Sequence, residues 1–273
     1  HLHFTLLYNG RHIIHANLDR AKAEYGDDIP MRLHPEIRSR EACVESTRWA
    51  VETARRLGTR LHVLHVSTAD ELALFEPGPI ADKRITAETC VHYLQFDEGD
   101  YDRLGFRIKC NPAIKSSTDR EALIAALADG RIDILATDHA PHLLEEKAQP
   151  YDAAPSGLPL VQFALQIGLQ RVAEGKLSLE RLVEVSCHAP AQRFDVKRRG
   201  YLREGYAADL VLVDPRRPYT VTRAGVLSKC GWSPLEGQRF DASIASTFVN
   251  GERVWDGSHI DPRVRGQRLE FAR

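Results

Sequence analysis

Short apolar runs that favour β-strands alternate along this chain with stretches of helical periodicity, and this alternation limits the possible folds more than any other feature. Predicted strands occupy residues 11–17, 60–68, 84–96, 106–114 and 133–142, and predicted helices occupy residues 40–58, 119–130, 158–175 and 178–194. Strands separated by helices of this length favour parallel βα units. Several of these strands end in polar residues, and barrel enzymes carry their active-site residues at the carboxyl ends of the strands.

The residue pattern of the sequence changes after about Val196. Short alternating runs, glycine turns and an Asn-Gly hairpin signal at Asn250 and Gly251 replace the helical periodicity. The pattern predicts two parts: an α/β barrel portion over residues 1–195 and a small β domain over residues 196–273.

Composition narrows the class of function. The 273 residues include 37 Lys and Arg against 38 Asp and Glu, so no overall field favours nucleic acid or an anionic membrane, and a small-molecule substrate is expected. The five cysteines are scattered and form no CxxC pair, which argues against a disulfide framework and fits a reducing cytoplasm. No run approaches the roughly eighteen apolar residues of a membrane span.

Three potential metal ligands lie at or just beyond the ends of predicted strands: His15, His65 and Asp138. If these strands are parallel neighbours, their side chains converge on one face. Two imidazoles and a carboxylate suit Zn²⁺ or a similar divalent ion with an open position for water. The alternatives are ordinary: the chain has 12 histidines, most of which serve as core or solvated residues, and an aspartate often caps the segment after it.

Three further positions have both a structural and a functional interpretation. Asn111 precedes Pro112, a common turn arrangement. Gly157 fits a loop whose backbone approaches a ligand, or an ordinary glycine turn. His92 is assigned a structural role or a role in supporting the site.

Six motifs occur in the order seen in dihydroorotases, members of the cyclic amidohydrolase superfamily. They are HVST at 65–68, ETCVHYL at 88–94, NPAIKSSTDREAL at 111–123, ATDHAPH at 136–142, SGLPLVQ at 156–162 and REGYAADLVLVD at 203–214. The chain resembles this family from about His12 to Gly257. The resemblance implies a distorted (β/α)8 TIM-like barrel with a small β-sandwich domain, one or two zinc ions, and reversible interconversion of N-carbamoyl-L-aspartate and dihydroorotate in pyrimidine biosynthesis.

The resemblance also implies roles for individual residues. His15 is similar to the family's fifth-strand ligand, although Asn17 stands where an acidic residue often follows, and His65 is similar to the sixth-strand ligand. Asp138 resembles the eighth-strand aspartate, which contacts the metal and shuttles the proton between hydroxide and the leaving nitrogen. Asn111 and His142 resemble groups that bind the substrate's ring amide and carboxylate.

This sequence departs from the family pattern at the beginning of that pattern. Family members open with a His-x-His strand and carry a bridging lysine or aspartate before the fifth strand. His1 and His3 have the His-x-His form, but they lie too close to His15 to occupy the first strand of the same barrel. We therefore expect the chain to represent the C-terminal two-thirds of a dihydroorotase.

Two classes of function follow. The first is a zinc-dependent dihydroorotase, or a related hydantoinase or allantoinase; the Asn-Pro-Ala sequence at 111–113 favours dihydroorotase. The second is a non-catalytic dihydroorotase-like scaffold that binds an aspartate transcarbamoylase or itself. An incomplete barrel would expose strand edges and apolar faces, so a homo-oligomer is also expected.

Overall fold

The computed structural model describes residues 10–272, so His1 and His3 lie outside the described residues. Its α-helices are α1 (Arg11–Tyr25), α2 (His34–Ile37), α3 (Arg40–Leu57), α4 (Val91–Gln95), α5 (Tyr101–Leu104), α6 (Ser117–Asp129), α7 (Leu144–Lys147), α8 (Ala164–Ala173), α9 (Leu179–Val183) and α10 (Ala189–Arg193). Its strands are β1 (Leu61–Val63), β2 (Ile85–Cys90), β3 (Ile134–Ala136), β4 (Leu210–Asp214), β5 (Tyr219–Thr220), β6 (Arg239–Phe240), β7 (Ser243–Val249) and β8 (Glu252–Trp255).

The first three strands form a parallel sheet in the order β1-β2-β3, which confirms the predicted parallel pairing. Residues 10–272 contain these three parallel strands of the predicted barrel. Val63 pairs with Ala87, and Cys90 pairs with Ala136, so the carboxyl ends of the strands lie along one edge. The sheet residues Val63, Ala87 and Cys90 are buried in one hydrophobic core with Leu127 of α6 and Ile167 of α8. Extensive burial of strand residues is typical of parallel sheets.

Local signals in the sequence determine where helices α3 and α6 begin. Helix α3 begins after Ser39, whose side chain accepts a hydrogen bond from the Ala42 amide, and ends at Gly58 in the left-handed conformation. Helix α6 begins with a capping box between Ser116 and Asp119. Both helices follow the boundaries that the sequence predicts to within two residues.

The predicted strand at residues 11–17 is wrong, because these residues belong to helix α1. Ile14, Leu18, Ala21 and Tyr25 recur at helical spacing and pack in a small cluster with Ile37. A helix that presents this face to the cluster leaves the neighbouring His15 exposed to solvent.

The predicted strand at residues 106–114 is also wrong. Gly105–Ile108 forms a short 3₁₀-helix, and the residues after it continue as an extended segment that belongs to no described sheet. Pro112 has no backbone N–H, and the carbonyl of Lys109 is hydrogen-bonded to the loop at Gly157. The apolar side chains of this segment are buried, so its hydrophobic pattern indicated burial rather than a strand.

The C-terminal part contains a three-stranded antiparallel sheet, β4-β7-β8, and a two-stranded sheet, β5-β6. The predicted Asn-Gly hairpin is confirmed: Asn250 and Gly251 connect β7 to β8 with φ angles of 52° and 86°. Phe240 of β6 and the adjacent Leu235 belong to the same hydrophobic core as the parallel sheet. The domain boundary near residue 195 stays a prediction.

Helices long and apolar enough to cross a membrane are absent from residues 10–272.

Candidate active site

Polar residues stand two positions beyond the last residue of each parallel strand. His65 follows β1, His92 follows β2, and Asp138 follows β3 at this same offset. His65 and Asp138 each have a φ of 43°, a left-handed conformation that is uncommon outside glycine. The chain therefore turns sharply at both residues and leaves their side chains at the carboxyl edge of the sheet.

The turn after His65 is held by Glu71, a buried carboxylate that the sequence did not single out. Its Oε2 accepts hydrogen bonds from the backbone amides of Ser67 and Thr68, at 3.3 and 3.1 Å, and from the Thr68 hydroxyl at 2.9 Å. Its Oε1 accepts one from the Thr47 hydroxyl of helix α3 at 2.6 Å. Glu71 thus ties the residues that follow His65 to a helix.

His92 is completely buried, and neither of its ring nitrogens has a hydrogen-bond partner among residues 10–272. Its ring centroid lies 4.1 Å from that of Tyr93. Burial, with a smaller contribution from His65, lowers the pKa of His92 to about 3, so the ring is neutral near pH 7. Unpaired polar atoms are rare in protein interiors, which makes these nitrogens candidates for contact with a bound group. The sequence predicted a strand over residues 84–96 with His92 inside it, whereas the strand ends at Cys90 and residues 91–95 form helix α4, so the position of His92 beyond the strand end emerges only from the structure.

Asn111 has an open hydrogen-bond acceptor. Its Oδ1 is buried and has no hydrogen-bond partner in the described part of the chain, and the peptide bond from Asn111 to Pro112 is cis. The carbonyl of Pro112 accepts a hydrogen bond from the Tyr93 hydroxyl at 2.7 Å, which fixes the segment beside α4. A buried carbonyl oxygen of this kind suits an N–H donor on a ligand.

Gly157 and His142 lie against each other at the end of the loop after β3. A Cβ atom on Gly157 would lie 2.5 Å from the carbonyl oxygen of Ala140 and 3.2 Å from Cδ2 of His142, and the φ of Gly157 is 149°. The carbonyl of His142 is held by the Trp232 indole N–H at 2.8 Å. Only glycine fits between these groups without displacing them.

We expect Gly157→Ala to shift the His142 ring and to weaken substrate binding by about tenfold, because the new methyl group overlaps the backbone of Ala140. The change in KM measured by steady-state kinetics, with Gly175→Ala as the control, tests this prediction. Gly175 also has a positive φ, but no atom lies within 4 Å of the position that a new Cβ would take there. Equal effects of the two substitutions would show that only the backbone conformation matters.

A small cavity of about 50 Å³ lies beside His65. Arg38, Cys43, Glu71 and Pro112 are among the residues that line it. This volume holds one or two water molecules. A water-sized space next to His65 is compatible with hydrolytic chemistry at this edge of the sheet.

The predicted metal ligands do not form a cluster. Residues 10–272 contain no group of three or more His, Cys, Asp or Glu side chains that could hold a metal ion. His65 and Asp138 stand at the predicted strand ends, whereas His15 is exposed on helix α1 and not at the end of a strand. The described residues thus do not fit a complete metal centre, and the ligand roles of these three residues stay predictions.

Comparison with known proteins identifies a family and several relatives of this chain. The chain matches the amidohydrolase family over residues 41–254. It is 39% identical over 223 residues to a dihydroorotase of Halobacterium salinarum, an alignment that covers 82% of this chain and 51% of that protein. It is 33% identical over 253 residues to an allantoinase of Bacillus velezensis, which covers 91% of this chain and 56% of the relative.

Among solved structures, an L-hydantoinase (dihydropyrimidinase) from Arthrobacter aurescens aligns with a TM-score of 0.86 at 28% identity, covering 94% of this chain and 58% of that one. The chain therefore spans between half and three-fifths of the length of these three proteins. The family match extends over most of the chain and includes all three parallel strands and the residues at their carboxyl ends. The chain belongs to the amidohydrolase family.

Proposed function

We propose that this chain is part of a dihydroorotase, which hydrolyses the cyclic amide of dihydroorotate reversibly to N-carbamoyl-L-aspartate. The observation that carries the proposal is the placement of His65 and Asp138 in matching left-handed positions beyond two strands of the parallel sheet. The choice among cyclic amides rests on the higher identity to a dihydroorotase than to the allantoinase and the hydantoinase.

In the proposed reaction, the carboxylate of Asp138 accepts a proton from the attacking water and returns it to the amide nitrogen that leaves the ring. Asp138 is partly exposed, so water can reach it. Asn111 would accept a hydrogen bond from a ring N–H through its unpaired Oδ1. His142, beside Gly157, would donate to the substrate carboxylate. Dihydroorotate carries this carboxylate, whereas an unsubstituted hydantoin ring does not.

We also propose that the complete enzyme binds zinc, with His65 and Asp138 as two of the ligands. Two ligands do not complete the coordination of a zinc ion, and residues 10–272 contain no group of three or more potential ligands. We therefore propose that further residues of the complete enzyme supply the remaining ligands. A small-molecule substrate follows from the proposed reaction. Self-association and pairing with an aspartate transcarbamoylase stay predictions.

A non-catalytic scaffold is the second candidate, and the incomplete ligand set among the described residues is the observation that favours it. Zinc content by elemental analysis, measured together with dihydroorotate hydrolysis, separates the two. We expect the complete protein to bind zinc stoichiometrically and to turn over dihydroorotate, and the 273-residue chain alone to bind less zinc. A complete protein without zinc and without turnover would contradict the enzyme proposal.

A further inference from the structure

Lys147 is completely buried at the end of helix α7, an unusual location for a lysine. Its ammonium group donates hydrogen bonds to three backbone carbonyls: Lys109 at 2.8 Å, Pro155 at 2.9 Å and Gly157 at 3.0 Å. An ammonium group has three N–H donors, so backbone carbonyls satisfy all of them.

Lys109 extends this arrangement. Its ammonium group donates to the carbonyls of Tyr151 and Ala154, the latter at 2.6 Å, and lies 4.3 Å from the centroid of the Tyr151 ring. Its own carbonyl accepts a hydrogen bond from the Gly157 amide at 3.0 Å in addition to the one from Lys147. We call Lys109, Lys147 and the carbonyls that they bind the lysine clamp.

The lysine clamp supplies hydrogen bonds to backbone carbonyls that regular secondary structure would otherwise provide. The segments at residues 109–112 and 150–157 are largely outside helices and strands, yet they contain the buried residues Lys109, Cys110, Tyr151, Ala154 and Gly157. Buried carbonyls need donors, and a buried ammonium is stable only when it is fully hydrogen-bonded. Burial lowers the pKa of both lysines to about 8, so both remain mainly charged near pH 7 and keep their donors.

The lysine clamp joins the three predicted substrate contacts. Asn111 lies two residues after Lys109, and Gly157 is bonded to Lys147 through its carbonyl and to Lys109 through its amide. Gly157 in turn lies against the His142 ring. A change in the position of Gly157 would therefore move it relative to both Asn111 and His142.

We infer that Lys147 is a positioning residue for substrate binding, whose ammonium group holds the Asn111 and Gly157 segments at a fixed separation. This inference rests on the proposed function, because the substrate contacts are those of the proposed dihydroorotase. Since Lys147 acts through backbone groups and not on the reacting atoms, its loss should affect KM more than kcat.

Two substitutions test the inference, Lys147→Met, which removes all the donors, and Lys147→Gln, which keeps part of them. The matched control is Lys83→Met. Lys83 is also largely buried, but its ammonium bonds to Gly130 and Asp133 before the amino ends of β2 and β3, away from the substrate contacts. Hydrogen exchange at the Gly157 amide is measured on the 273-residue chain, and dihydroorotate kinetics on the complete enzyme.

We expect Lys147→Met to raise the Gly157 exchange rate and the KM about tenfold each while kcat changes less than about threefold, with Lys147→Gln intermediate. Lys83→Met should leave both quantities unchanged.

An unaltered hydrogen-exchange rate at the Gly157 amide in Lys147→Met would overturn the clamp. Faster exchange at this amide together with the wild-type KM would overturn the positioning role. An inactive wild-type enzyme would instead refute the proposed function, and hydrogen exchange would still decide whether the clamp exists. If Lys147→Met does not fold, Lys147→Gln decides by the same two criteria.

Discussion

Replacing Asp138 with alanine is expected to lower the kcat of the complete enzyme by about 10²- to 10⁴-fold, the usual contribution of a proton-transfer group. Within residues 10–272, Asp138 is the carboxylate that follows a parallel strand at the offset of His65 and His92. Without it, no group at this position can move the proton from water to the leaving nitrogen. Steady-state kinetics of dihydroorotate hydrolysis and of the reverse cyclisation measure the loss of kcat.

The same substitution should leave the fold intact, because Asp138 is partly exposed and its left-handed backbone accepts alanine at only a modest cost. Circular dichroism and thermal unfolding check this expectation. Asp102→Ala is the control, since Asp102 is exposed on helix α5, and it should retain full turnover. Wild-type kcat in Asp138→Ala would refute the proposed mechanism.

Replacing Glu71 with alanine should lower the free energy of unfolding by about 3 kcal/mol, the second large effect that we predict. The carboxylate accepts hydrogen bonds from Thr47, Ser67 and Thr68, and each of these buried donors would lose its partner. Urea unfolding, monitored by tryptophan fluorescence, measures the change. The turn beyond His65 would also lose its attachment to helix α3.

Two related substitutions make this test specific. Glu71→Gln keeps the shape and part of the accepting capacity, so its effect should be smaller than that of alanine. Glu76→Ala removes an exposed glutamate from the same region and should change stability by less than about 0.5 kcal/mol. Equal stabilities of Glu71→Ala and Glu76→Ala would show that the hydrogen bonds to Glu71 contribute nothing measurable.

The parts of the fold that the sequence predicted correctly depend on local signals. The parallel strands are short and followed by polar residues, and the β7–β8 turn requires two left-handed residues, a conformation that Asn250 and Gly251 readily adopt. His65 and Asp138 could be placed at strand ends for the same reason. In each case the residues that determine the structure lie within a few positions of one another.

Other features depend on contacts between distant segments. Residues 11–17 contain a short apolar run that ends in polar residues, which suggested a strand, but the full run to Tyr25 has helical spacing, which decides in favour of α1. Lys147 stands in a charged stretch that is typical of a solvated helix, and it is buried by contacts with the Lys109 segment and the loop at residues 150–157. That the His92 ring nitrogens have no hydrogen-bond partner within residues 10–272 likewise cannot be predicted before the surrounding elements are in place.

The left-handed conformations of His65 and Asp138 have a thermodynamic consequence. A non-glycine residue held there destabilises the native state by on the order of 1–3 kcal/mol relative to a relaxed backbone. Selection for stability alone would favour glycine at both positions, where the backbone strain disappears. Under the proposed function, the imidazole and the carboxylate at these two turns would lower stability in exchange for their roles in the reaction.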